Sequence, residues 1–322
     1  MSRERTEEEE REYRRYLHRL KRRRERRRKV MIARTIVGVA GVLILLLLVG
    51  LIRFGVRTVQ GGSSQKNKQV EATIKPTEAA PEYSIPEGFE KYAAKLEEMR
   101  SEYPQVENIL LNLYEYSESM LKLASNNPDA LEFVENYPKH KSDIKPSGSV
   151  TKEELDSAEN GIPRFQQWDE RWGYLTYGND NIGINGCGPT CLSMVYVYFT
   201  HDLNGTPREI ASYCEKNGYY TENGTSWSLW TEGLPALGLS GKELPLVENS
   251  MKTSLDQGKL IVCSMRPGDF TTSGHYILLY DYDDTGFCVK DPNRVSNSSR
   301  TWDYDTLSPQ IKNLWTISPT GF

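Results

Sequence analysis

Apolar positions along this chain change their spacing several times, and each change marks a segment. Thr35–Ile52 is an uncharged run rich in Leu, Val and Ile. As a helix it would rise about 27 Å, close to the thickness of a bilayer core, so residues 35–52 are expected to form one transmembrane helix. Residues 53–87 reverse the pattern. Gly61-Gly62-Ser63-Ser64, several prolines and few large apolar groups predict a flexible stalk. From 88 to 140 apolar residues return at helical spacing. Phe89, Tyr92, Leu96 and Met99 mark one helix. Val106, Ile109, Leu110, Leu113, Met120 and Leu121 mark a second after Pro104. Asn127-Pro128-Asp129 starts a third, carrying Ala130, Leu131 and Val134. This small helical segment is expected to pack on the C-terminal domain or to act as a spacer. Residues 141–160, with Pro146-Ser147-Gly148, read as a polar linker.

Residues 161–322 are long enough for a single core. A helix runs from Cys187 with Leu192, Val195 and Phe199 at spacings of three and four. Further helices are expected near Pro207–Asn217, Trp227–Leu237 and Val247–Gln257. Strands come next at Leu260–Met265, Tyr276–Tyr282 and Gly286–Lys290, the last two joined by the hairpin signal Asp283-Asp284-Thr285-Gly286. A helical part followed by an antiparallel sheet is an α+β layout.

Charge sharpens the membrane reading. The 322 residues carry a formal net charge of −4, but residues 1–34 hold 15 Lys/Arg against 7 Glu, leaving 25 basic and 37 acidic residues beyond them. Segment 1–34 is therefore an appended basic tail, and the positive-inside rule keeps it cytoplasmic. Everything after Arg53 is then outside: a single-pass cell-membrane protein with its main domain extracellular, in the manner of a bacterial surface protein. A secretory signal peptide is the competing reading. It fits poorly with 34 charged-rich residues in front and no small-x-small cleavage site behind. The tail is expected to meet anionic lipid, and Tyr13, Tyr16, Leu17 and Leu20 form a stripe suited to the interface or to a partner helix. Arginine runs also bind nucleic acid, but lipid is the nearer polyanion and no nucleic-acid partner is expected.

The chemistry concentrates at Gly186-Cys187-Gly188-Pro189-Thr190. This stretch sets a thiol at a helix mouth, where unpartnered N–H groups and the macrodipole stabilise a thiolate. Gly186 and Gly188 allow close approach, and Pro189 suits the first turn. A buried, inert cysteine is the plainer alternative. The chain's five cysteines are Cys187, Cys191, Cys214, Cys263 and Cys288; none forms a Cys-x-x-Cys or Cys/His cluster, so no metal and no cofactor is expected. A nucleophile needs a base and an orienter. His275 opens the apolar strand His275-Tyr-Ile-Leu-Leu-Tyr280, a position facing a cleft or merely a strand end. Asp291 comes after the returning strand, beside His275 or simply in a turn before Pro292.

These residues in this order resemble the bacteriocin-processing (double-glycine) cysteine peptidases and their wider papain-like relatives. The resemblance covers Ile162 to about Trp315 and rests on Ile162-Pro163 with Gln166-Gln167-Trp168-Asp169, on Gly186–Thr190, on Gly274-His275-Tyr276, and on Asp291-Pro292. It implies a papain-like cysteine peptidase domain over 161–322, with Cys187 as nucleophile, His275 as base, Asp291 as orienter and Gln167 as oxyanion donor. Two departures stand out. Familiar members are cytosolic domains of ATP-driven exporters, whereas this sequence has no Gly-x-x-x-x-Gly-Lys-Ser/Thr loop and no multi-span region. The helical segment 88–140 also lies outside the match.

The function expected is hydrolysis of peptide bonds, in a peptide or protein substrate or in cell-wall peptide, through a thioester on Cys187. Rival readings are an inactive peptide- or cell-wall-binding module lined by Trp168, Trp172, Trp227, Trp230, Tyr219 and Tyr220, and a cell-wall amidase or transpeptidase. A more remote reading has the chain cleave itself at Gly61-Gly62 in the stalk. Asn204, Asn223 and Asn297 each begin an N-x-S/T sequon.

Overall fold

The computed structural model describes residues 83–321. The basic tail, the apolar run 35–52 and nearly all of the stalk lie outside the described residues. No helix among the described residues is long and apolar enough to cross a membrane.

The first part is helical: α1 (Glu90–Met99), α2 (Gln105–Leu111), α3 (Glu118–Asn126) and α4 (Leu131–His140). The second helix expected from the sequence is broken in two. Tyr116 is extended, and the Ser117 hydroxyl accepts from the Met120 N–H, so a new N-cap starts α3. Leu96, Ile109, Leu110, Met120 and Leu121 meet Phe133 and Val134 in one apolar cluster that also takes in Tyr174 of the next region. Phe133 stacks on Tyr174 with ring centres 4.4 Å apart, and the Tyr174 hydroxyl donates to the Phe133 carbonyl at 3.0 Å. Ser119 donates to Asp180 at 2.6 Å. The four helices are thus docked on the domain behind them through a shared core.

Next come α5 (Cys187–Thr200), α6 (Pro207–Lys216), β1 (Leu239–Glu243), α7 (Glu248–Asp256), β2 (Leu260–Met265), β3 (His275–Asp283), β4 (Gly286–Lys290), α8 (Val295–Ser298), β5 (Thr301–Trp302) and β6 (Ile311–Pro319). The six strands form one antiparallel sheet in the order β1-β6-β2-β3-β4-β5. Alternation sends each strand's residues to two faces. Leu260, Val262, Tyr276, Leu278, Trp315 and Ile317 pack with the apolar length of α5. Ile261, Cys263, Ile277 and Leu279 pack with Met251 and Leu255 of α7. Both faces being covered explains why β2 is buried throughout and reads as a continuous apolar run.

Two expectations need correction. Trp227–Leu237 is not one helix but two short 3-10 turns, Trp227–Trp230 and Leu234–Leu237. Pro235 removes a donor at the second turn's start, and Gly233 and Gly238 bracket it. The sheet also gains β1 and β6, which the hydrophobic pattern did not reveal. Of the aromatic residues proposed to line a groove, Trp172 and Trp230 are core, while Trp227 is exposed.

Phe133→Ala should lower the stability of the protein by about 3–5 kcal/mol, because it opens a cavity in the core shared by the two regions. Denaturant unfolding of the purified chain measures this, and a loss below about 1 kcal/mol would mean the helices are not docked through Phe133.

Candidate active site

Cys187 is the first residue of α5, and Gly186 stands before it with no side-chain cap. The two glycines are required by close approach. A Cβ at Gly186 would overlap the Ile182 carbonyl, and one at Gly188 would overlap the Thr225 hydroxyl. The loop carrying Thr225 therefore lies across the start of α5. Tyr276 ties that loop to the sheet by donating to the Thr225 carbonyl at 2.9 Å. Cys187 is half-buried, and among the described residues no cysteine is in a disulfide. Burial pushes the Cys191, Cys214 and Cys263 thiols up, Cys214 to about 12, which leaves them poor nucleophiles at neutral pH.

His275 begins β3, paired with Met265 of β2, and Asp291 lies just past the end of β4. The hairpin brings them together: His275 Nε2 lies 2.7 Å from Asp291 Oδ1. Since Nε2 is taken by Asp291, Nδ1 is the ring nitrogen left over, and Cys187 acts on the same imidazole electrostatically. His275 and Asp291 are both buried. Burial opposes charge on His275, but Asp291 on one side and Cys187 on the other outweigh it and raise its pKa. Burial likewise opposes ionisation of Asp291, yet His275, Asn297 and the Asn293 N–H hold its pKa below the usual carboxylate range. The site is built to hold an imidazolium against a carboxylate.

Asp291 is fully satisfied. Its Oδ1 also accepts from the backbone N–H groups of Asn293 at 2.8 Å and Arg294 at 3.1 Å, and its Oδ2 accepts from Asn297 Nδ2 at 2.7 Å. Asn297 is buried, so its sequon is engaged in the site rather than presented to solvent. The loop after Asp291 is clamped in turn. Asn127 Nδ2 and Trp168 Nε1 each donate to the Asn293 carbonyl at 2.7 Å. The Val295 N–H donates to Asp129 at 3.0 Å, and the Arg294 guanidinium donates to the Asn126 carbonyl.

Gln167 lines the same cleft as Cys187 and His275, but its amide is already engaged. Nε2 donates to the carbonyls of Gly183 at 2.8 Å and Ile184 at 3.2 Å. These two carbonyls satisfy the amide's protons, while its oxygen Oε1 is buried without a partner among the described residues. Gln167 is thus in the cleft with Cys187, its Nε2 engaged by these two carbonyls. Gln166 instead turns toward the Asp291 carbonyl, at 3.4 Å.

A cleft of about 1080 Å³ contains Cys187 and His275. Its walls include Thr225 and Trp227, the loop Arg266–Gly274, and Ser119, Lys122 and Asn126 of α3. Sequence reading missed Asn297, Thr225 and the α3 wall. Only the Asp291-Pro292-Asn293 turn hinted that something downstream would fold back.

Residues 159–318 match the model of the "Peptidase_C39 like family". Among solved structures, the chain is similar to the peptidase domain of Streptococcus ComA, described as a bi-functional ABC transporter involved in a quorum-sensing pathway. Identity is 17%, the match covers 42% of this chain and 93% of that one, and the TM-score is 0.34. No curated protein sequence matches. The family match covers the stretch that contains Cys187, His275 and Asp291.

Asp291→Asn should destabilise the protein most between about pH 4 and pH 6.5. His275, whose pKa is raised on folding, contributes stability fully below its unfolded value and loses it as pH rises toward the folded one. Asp291, whose pKa is lowered, contributes above its unfolded value and loses it as pH falls. Chemical denaturation of wild type and variant across pH 4–9 measures the difference; a flat difference would contradict the ion pair.

Proposed function

We propose that the protein is a membrane-anchored, extracytoplasmic cysteine peptidase that hydrolyses peptide bonds by a Cys187–His275–Asp291 mechanism. The observation that carries this reading is the buried 2.7 Å contact of Asp291 with His275, which shares a cleft with the thiol at the mouth of α5. The anchoring rests on the apolar run 35–52 behind an arginine-rich tail.

In this mechanism the Cys187 thiolate attacks the scissile carbonyl while His275 holds the proton. Unpartnered N–H groups at the start of α5 face the developing oxyanion. Gln167 becomes the second donor by exchanging its longer bond, the one to the Ile184 carbonyl, for the oxyanion. The imidazolium then protonates the leaving amine, and the amine departs as the thioester forms. His275, now neutral, takes a proton from water, which attacks the thioester and releases Cys187. Asp291 stays ionised throughout and stabilises the imidazolium. The domain divisions are those of the sequence reading: tail 1–34, anchor 35–52, stalk 53–87, helical segment 88–140, linker 141–160 and peptidase domain 161–322.

Cys187→Ala should abolish cleavage of a fluorogenic peptide mixture by the full chain purified in detergent. Gln167→Ala should lower the rate roughly a hundred- to a thousandfold. Iodoacetamide should modify Cys187 in preference to the buried Cys191, Cys214 and Cys263, and His275→Ala should slow that labelling. Unchanged hydrolysis by Cys187→Ala would sink the peptidase reading. Slow labelling that ignores His275→Ala would favour a binding module instead.

The topology has its own test. In intact cells, externally added protease should remove an epitope placed after Phe322 and spare one placed before Arg3, and both should sediment with membranes. Protection of the C-terminal epitope would reverse the proposed orientation.

A further inference from the structure

The cleft's charge differs from that of the chain around it. Beyond residue 34 the chain has 25 basic and 37 acidic residues, yet the cleft walls present four cationic side chains against two carboxylates. The cations fall into two pairs. Lys122 lies on α3, and Arg294 reaches the same helix by donating to the Asn126 carbonyl one turn further on. Arg266 comes directly after β2, and Lys312 sits on the neighbouring β6, where its ammonium lies 5.3 Å from the centre of the exposed Trp227 ring.

The two carboxylates leave the cations in excess and form no ion pair with them among the described residues. Asp269 is held by Gln310 Nε2 at 2.8 Å, and Glu222 lies at the exposed tip of the loop before Thr225. Lys122 and Arg266 are exposed, and neither is in an ion pair among the described residues. A concave surface with low-dielectric walls concentrates such a field and raises the local concentration of an oppositely charged ligand. One of the four cations, Lys122, moreover comes from the helical segment, which lies outside the region matched by the family model.

We propose that this cleft selects acidic peptides, with Lys122 and Arg294 on one wall and Arg266 and Lys312 on another receiving Asp or Glu side chains of the substrate. The helical segment is then part of the substrate-binding surface. This proposal rests on the peptidase reading for the consequence of binding, but the charge preference itself is readable without catalysis.

The test uses the full chain carrying Cys187→Ala and two fluorescent peptides of equal length and apolar content, one with Glu and Asp where the other has Gln and Asn. The acidic peptide should bind roughly fivefold to tenfold more tightly at low salt, an advantage that shrinks as salt is raised. The surface substitutions Lys122→Glu and Arg266→Glu, made at exposed side chains outside any ion pair among the described residues, should erase or reverse the preference. Equal binding of the two peptides, or a preference that both charge reversals leave intact, would overturn the proposal. Cleavage by the unmutated chain separates the two readings. Acidic preference without turnover would count against the peptidase and leave this proposal standing; equal turnover of both peptides would do the reverse.

Discussion

The carboxylate of Asp291 is the constraint on which the rest of the structure depends. It is 1% exposed, and an isolated buried charge is too costly to persist. Four donors from different places make it tolerable: the His275 imidazole at the start of β3, two backbone N–H groups of the adjoining turn, and the Asn297 amide on α8. Each donor is itself held. β3 is fixed between β2 and β4, and the turn is fixed because the Asn293 carbonyl accepts from both Asn127 and Trp168. Removing the carboxylate leaves its donors aimed at nothing, and removing a donor leaves a buried charge less well compensated, which is why buried networks of this kind are costly to break.

That chain of contacts joins the helical segment to the domain behind it. The helices before residue 140 share a core with Tyr174 and also hold the loop that orients Asp291. Their α3 face forms a wall of the cleft that contains Cys187. Packing, positioning of the ion pair and shape of the binding surface are consequently linked through one small segment.

How much of this was legible in the sequence depends on how local each signal is. Cys187 announces itself because glycine, proline and an apolar helix surround it within a few residues. His275 and Asp291 are readable because a hairpin of strong β-formers separates them and dictates that their ends meet. The strands at Leu239–Glu243 and Ile311–Pro319 were not readable. The first has a single fully buried residue, Leu239, and a bulge between Ile311 and Asn313 interrupts the alternation of the second. Trp227–Leu237 misled because apolar spacing outweighed the breaking effect of Pro235 and its flanking glycines. Asn297 looked like a glycan acceptor, and its contact with Asp291 depends on a short helix that no pattern marks. Asn127 meets Asn293 across 166 residues of chain, a pairing that only tertiary structure creates. The engaged amide of Gln167 is of the same kind: its identity was legible, its partners were not.

The central claim is that Cys187 becomes acylated during turnover. Acid-quenching the full chain during hydrolysis of a peptide ester or amide, followed by mass spectrometry of its digest, tests this directly. The expected result is the acyl half of the substrate on the peptide containing Cys187, absent from His275→Ala under the same conditions. Steady hydrolysis with no adduct at Cys187, or with the adduct on another residue, would contradict it.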